Sequence, residues 1–90
     1  MEFEWDEDKR RQNLGKHGID FERAKEIWQG VVLEGPSPQT RHGEERFMAI
    51  GQSERRVMTV VFTWRGNVRR IISARTARQN ERKDYQKKIG

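Results

Sequence analysis

Cysteine is absent from the 90 residues, which excludes disulfides, thiolate metal ligands and a thiol nucleophile. Proline occurs only at positions 36 and 38, so the chain is sharply interrupted at one place. Apolar residues are scarce, at 32% against 37% charged, and support one modest core. No apolar run approaches the roughly 18 residues needed to span a bilayer, and the N-terminus is acidic rather than signal-like. A cytoplasmic protein without membrane contact is expected. No repeat or composition shift divides the chain, so a single domain over residues 1–90 is expected. Acids are thin at the C-terminal end. Residues 67–90 carry a net charge of +6, more than the +5 of the whole chain, whereas residues 1–30 carry −2. Clustered Lys and Arg attract phosphates by Coulomb force and counterion release. A solvated basic helix gives the same count, so charge alone leaves both open.

What is present is organised around the stretch from Val57 to Arg75. Two β-rich runs flank Gly66-Asn67, a pair that signals a two-residue hairpin loop. Arg65 then faces Val68, Thr63 faces Arg70, Val61 faces Ile72 and Thr59 faces Ala74. Strict alternation puts Trp64, Phe62, Val60 and Met58 on one face with Arg69, Ile71, Ser73 and Arg75. The other face carries Thr63, Val61 and Thr59 with Arg70, Ile72 and Ala74. Both faces are apolar in the middle, as a central hairpin requires.

Ahead of it, Phe3-Glu4-Trp5 has the alternation of a short edge strand. Asp6 fits an N-cap, with Glu7 and Asp8 in the first turn, and Gly15 and Gly18 mark the helix end. Leu14 is that helix's only large apolar residue, which predicts a surface helix. Asp20 caps a second helix whose Phe21, Ala24 and Ile27 or Trp28 can face a sheet, and Gly30 stops it. Val31-Val32-Leu33 reads as a strand, followed by a loop of about nine residues through Gly43. Glu44 to Gly51 alternates as another strand, and Gln52 to Arg56 is a polar connection. Thr76 and Gln79 match a capping box for a last helix, whose sparse apolar positions are Ala77, Tyr85 and Ile89. The expected class is α+β: a small, mostly antiparallel sheet with helices packed on one face.

These pieces resemble the BrnT toxins, ribonucleases of type II toxin–antitoxin systems related in fold to the RelE-like toxins. The resemblance rests on Phe3-Glu4-Trp5-Asp6, on Asn13-x-x-Lys16-His17-Gly18-x-x-Phe21-x-x-Ala24, and on Gly43-Glu44-Glu45-Arg46-Phe47 with Ile50-Gly51. It is strongest in Val60-Val61-Phe62-Thr63-x-Arg65-Gly66 and in Arg70 to Arg75 with Ala77, Glu81, Arg82 and Tyr85. It implies an RNA-cleaving activity and a cognate antitoxin of the BrnA type, a small ribbon-helix-helix DNA-binding protein. Operator DNA would be contacted only through that antitoxin.

RNA can be cleaved without a metal or other cofactor, because its own 2′-hydroxyl is the nucleophile. The enzyme then needs positioning and charge stabilisation. Arginine suits the phosphate, since its planar fork bonds two oxygens and stays charged. Few acids accompany the arginines, which disfavours a two-metal site. Arg70, Arg75 and Arg78 lead as phosphate contacts, although strict alternation separates Arg70 from Arg75 unless a bulge intervenes. Salt bridges to Glu44, Glu45 or Glu81 are their structural alternative. His17 is the natural general acid or base, with a helix C-cap bond as its alternative. Lys16, Arg46, Arg82 and Tyr85 are further candidates for RNA contact, Tyr85 being equally suited to anchor the last helix. His42 fits a bland loop residue, and Glu45 or Glu81 as base competes with pairing to arginine. Trp5, Trp28 and Trp64 read as core or interface residues. A non-catalytic nucleic-acid-binding or co-repressor module is the competing function.

Overall fold

The computed structural model describes residues 1–38 and 43–90. Five strands form one sheet in the order β1-β5-β4-β3-β2. They are β1 (Glu2–Trp5), β2 (Leu33–Pro36), β3 (Phe47–Ser53), β4 (Arg56–Arg65) and β5 (Val68–Thr76). Strand β1 runs parallel to β5 and every other pairing is antiparallel. Among the described residues three α-helices accompany the sheet: α1 (Glu7–His17), α2 (Phe21–Ala24), continued by a 3-10 turn over Lys25–Gln29, and α3 (Gln79–Ile89). The α+β class and the mostly antiparallel sheet expected from the sequence are both present.

Local sequence explains the boundaries. The Asp6 carboxylate accepts from the Asp8 and Lys9 amides, and Gly18 closes α1 at φ 70° by donating to the Leu14 carbonyl. Asp20 caps α2 by accepting from the Glu22 amide. Gly66 opens the hairpin loop at φ 61°, where a side chain would be strained. Gly51 serves a different need. A Cβ there would lie 2.7 Å from that of Ile27, so the 3-10 turn seats directly on β3. The expected strand at Val31 begins two residues later, at Leu33, and Val31 is half exposed. The expected cap at Thr76 also moves: Thr76 ends β5, and α3 starts after Arg78, whose amide donates to Glu81.

The core lies on one sheet face. Phe62, Val60, Met58, Ala49, Ile71 and Ala74 pack there against Ile19, Phe21, Ala24 and Ile27. Helix α3 covers part of the opposite face, where Ala77 and Tyr85 pack on Ile50 with Leu33 and Val57. The helices thus divide between the faces rather than sharing one. The Thr59 hydroxyl, between the core residues Met58 and Val60, donates to Glu81 of α3 across this second face.

The hairpin register holds from Arg65–Val68 to Phe62–Ile71 and then slips. Val61 pairs with Ser73, Val60 with Ala74 and Thr59 with Arg75, so Ile72 is an extra residue in β5. Everything after it changes face. Ala74 enters the core at no exposure, while Ser73 and Arg75 move to the face of Thr59, Val61 and Thr63. Without the bulge the Arg75 charge would point among Met58, Val60 and Ala24, at a large desolvation cost. With it, Arg70, Ser73 and Arg75 lie on one face.

Candidate active site

Beyond the bulge β5 has lost its parallel neighbour, since β1 pairs only with residues 68–71. Asn13 of α1 takes the vacant place. Its amide donates to the Ala74 carbonyl at 2.9 Å and to the Ile19 carbonyl at 3.0 Å, while its oxygen accepts from the Ala74 amide at 3.1 Å. One buried side chain therefore imitates an edge strand and fixes α1 along β5. That accounts for a helix whose one large apolar residue, Leu14, is 43% exposed. Composition and periodicity give Asn13 no role of its own. The signal was there: a helix without an apolar stripe needs a polar lock.

This lock sets Lys16 and His17 beside the bulge. With Lys9, Gln12 and Asn13 they form a groove whose far wall is Ile72 and Ser73. The α1 cap is made by the Gly18 backbone, so the half-buried His17 imidazole is not spent on it. On the adjoining face a cavity of about 150 Å³ is lined by Ser37, Pro38, Met48, Val61, Ser73, Arg75, Arg78 and Glu81. Ser73 borders both hollows, so His17 and the Arg75–Arg78 pair approach one residue from two sides.

The arginines differ in what holds them. Arg75 makes a two-pronged bond to Glu81, at 2.7 and 2.9 Å. Glu81 also accepts from the Thr59 hydroxyl at 2.9 Å and the Arg78 amide at 2.8 Å. The Arg75 bond is the main reason the Glu81 carboxyl titrates at about 2 rather than 4.5. Burial opposes it, and the Arg78 and Thr59 bonds help. An acid this strong is a poor proton acceptor near neutrality, so Glu81 belongs to the pairing alternative. The same pairing raises the Arg75 guanidinium pKa further, the Glu81 hydrogen bond outweighing the burial that opposes it. Arg78 is exposed, and its guanidinium makes no ion pair among the described residues. Arg70 is tied across the β1–β5 pair to Glu4 at 2.5 Å, with both side chains partly open to solvent.

The remaining candidates divide. Arg46 adjoins the cavity through its carbonyl, which accepts from the Ser37 amide, and its Nε is buried without a hydrogen-bond partner among the described residues. Arg82 is exposed on α3, one turn beyond Arg78. Tyr85 is corrected: its ring is 4% exposed and its hydroxyl donates to the Val31 carbonyl at 2.9 Å. No ring face is open for a base, so it anchors α3. Glu45 is exposed, and its carbonyl accepts from the Thr63 hydroxyl. His42 lies outside the described residues. Trp5 and Trp28 pack against the core as expected, and Trp64 stacks edge-on against Phe62 while remaining 42% exposed. Among the described residues no three His, Asp or Glu side chains converge as a metal site, and no helix is long and apolar enough to cross a membrane.

The α+β fold thus sets a free and a carboxylate-held arginine around one hollow, with a histidine in the groove on the other side of Ser73. The model of the BrnT family, the ribonuclease toxins of type II toxin–antitoxin systems, matches residues 5–81. The chain belongs to that family. Membership brings an RNA target and an antitoxin partner with it. No curated protein matches the chain.

Proposed function

We propose that this chain is a metal-independent endoribonuclease toxin that cleaves by intramolecular attack of a 2′-hydroxyl. The 2′-oxygen forms a bond to the adjacent phosphorus while the bond from phosphorus to the 5′-oxygen breaks. The products are a 2′,3′-cyclic phosphate and a 5′-hydroxyl end. Arg78 and Arg75 neutralise the non-bridging oxygens, whose charge grows in the phosphorane, and such aimed charge stabilisation is the largest expected contribution. Glu81 keeps Arg75 aimed. His17 exchanges the proton of the attacking or leaving oxygen, and Lys16 beside it attracts the phosphate. Arg70 and Arg46 contribute longer-range positive potential. Glu81, the carboxylate in the cavity lining, is engaged by Arg75, and Glu4 is engaged by Arg70, which favours neutralisation by arginine over a metal ion.

The observation that carries this reading is the bulge at Ile72. It puts Arg70, Ser73 and Arg75 on one face beside Arg78, while Asn13 brings His17 to the same Ser73. The antitoxin is read as the BrnA type, a ribbon-helix-helix protein through which the complex represses its own operon. The test is incubation of purified protein with RNA in excess chelator, followed by analysis of the product ends. Cyclic-phosphate ends are expected, and RNA left intact at every protein concentration would defeat the proposal. Conditional expression should arrest growth, and co-expression of the neighbouring small gene should restore it.

A further inference from the structure

The positive charge of the chain is not uniformly available. Arg10, Arg23, Lys25, Arg69, Arg70 and Arg75 each lie in an ion pair. The outer face of α3 differs. Gln79, Arg82, Lys83, Gln86 and Lys87 recur at spacings of three and four, line one continuous shallow groove, and form no ion pair among the described residues. The two acids of the helix lie off this stripe. Glu81 is turned inward to Arg75, and Asp84 lies just outside the stripe, opposite Arg82 and three residues before Lys87, with no ion pair among the described residues.

The stripe also begins at the proposed site. Arg82 follows Arg78 by one turn, and Arg78 lines the cavity with Arg75. From Arg78 to Lys87 the helix rises about 13 Å, enough to follow several phosphates of a single strand.

We infer that the outer face of α3 is a phosphate track, which holds the nucleotides on one side of the scissile bond through Arg82, Lys83 and Lys87. Its chemistry selects nucleic acid over a protein partner. The groove lining has no aromatic or aliphatic side chain, and the exposed Ile89 lies past its end, whereas protein interfaces depend on such anchors at their centre. The long side-chain stems make its floor, and their charged ends stand free along the rim. Gln79 and Gln86 add neutral groups that can bond sugar hydroxyls or phosphate oxygens. The track extends the ribonuclease reading to substrate binding and rests on it for the identity of the strand.

The experiment uses an uncleavable strand, so it does not depend on catalysis. Binding of a 2′-O-methyl RNA of about twelve nucleotides is followed by fluorescence anisotropy over a salt series, for the parent chain and for Lys83→Gln/Lys87→Gln. Each lost phosphate contact lowers the slope of log K against log salt by about 0.7, so the double variant should fall by about 1.4. Its affinity at low salt should drop about tenfold. A dinucleoside monophosphate, whose one phosphate cannot lie at the Arg75–Arg78 cavity and along the track together, should bind both proteins alike. Equal slopes for the two proteins would overturn the track, and so would an equal loss on the dinucleoside monophosphate. Normal RNA binding with lost affinity for the antitoxin would reassign the stripe to the protein partner. Failure of the chain to cleave RNA would instead strike the catalytic proposal and leave this measurement standing.

Discussion

The two faces of the sheet hold arginine in opposite surroundings, and Arg69 and Arg75 of β5 show both. On the core face Arg69 is 9% exposed. Its guanidinium carbon lies 4.8 Å from the Trp28 ring centre, 4.5 Å from Trp64 and 5.3 Å from Phe62, and its Nη2 lies 3.2 Å from a Glu34 carboxylate oxygen. Aromatic faces receive it, and its Nε has no hydrogen-bond partner among the described residues. Across the sheet Arg75 is held by a carboxylate and opens onto a polar cavity beside Arg78. An arginine enclosed by rings has given its charge to the fold. One that is aimed by an acid and left at a cavity wall retains donors for a ligand. Position relative to the pleat, and not residue type, separates the two environments.

The largest test of this division is on the aromatic side. Phe62 is fully buried and meets the rings of Trp28, Phe47 and Trp64 at 5.4 to 5.8 Å. Phe62→Ala is expected to cost about 3–5 kcal/mol in denaturant unfolding. A domain of this size has little stability to spare, so cleavage should be lost together with the fold. A variant that unfolds near the parent midpoint would show that this face is not the main support.

Arg78→Ala should do the reverse. Its part in the α3 cap uses the main-chain amide, which alanine keeps, so thermal unfolding should hardly move. The turnover rate should fall about 10²–10³-fold, as for loss of one transition-state donor. Arg78→Lys should recover only part, because an ammonium lacks the planar fork. Parent-like cleavage by Arg78→Ala would shift the phosphate to Arg75 or to the His17 groove.

Acid should separate the faces as well. The Glu81 carboxyl, lowered to about 2 by Arg75, carries more charge in the folded chain than in the unfolded chain between pH 2 and 4.5. A depressed pKa gives stability that is complete above about pH 4.5 and lost as pH falls toward 2. Allowing for solvent screening of Arg75, the loss should be about 2 kcal/mol. Glu81→Gln should flatten this part of the pH–stability curve. An unchanged acid limb would mean that other carboxylates control acid unfolding.

The difference between the faces was only half legible in the sequence. Alternation placed Trp64, Phe62, Val60 and Met58 together, and the N-caps at Asp6 and Asp20 and the Gly66-Asn67 loop follow from local chemistry. Arg75 and Ala74 were assigned to the wrong faces, because a bulge adds one residue without a local signature: Ile72 is as good a strand residue as its neighbours. The strain that selects it is non-local. The unslipped register would set Ser73 opposite Val60 and Arg75 opposite Met58 on the core face, and the slipped register puts Ala74 opposite Val60 instead. The Asn13 lock is equally non-local, joining residues 61 apart in the chain. Tyr85 illustrates the same limit, since aromatic character suits base stacking and core anchoring alike until burial decides.

The smallest expected effect is the most discriminating for the bulge. Arg70 shares a face with Arg75 but stands on the β1 side, bound to Glu4. Both members of that pair are partly exposed, so Arg70→Ala should cost no more than about 1 kcal/mol. As a source of potential near the phosphate rather than a direct ligand, it should contribute about tenfold to kcat/KM, with the loss growing at low salt. Glu4→Gln makes the comparison sharper. It frees Arg70 without moving it, so cleavage should rise slightly if Arg70 acts on the substrate, and should not change if the pair only clamps β1 to β5. Parent-level kcat/KM in both variants, measured at low ionic strength, would confine the working charge to Arg75 and Arg78. The bulge would then matter for removing Arg75 from the core, and its alignment of Arg75 with Arg70 would be a by-product.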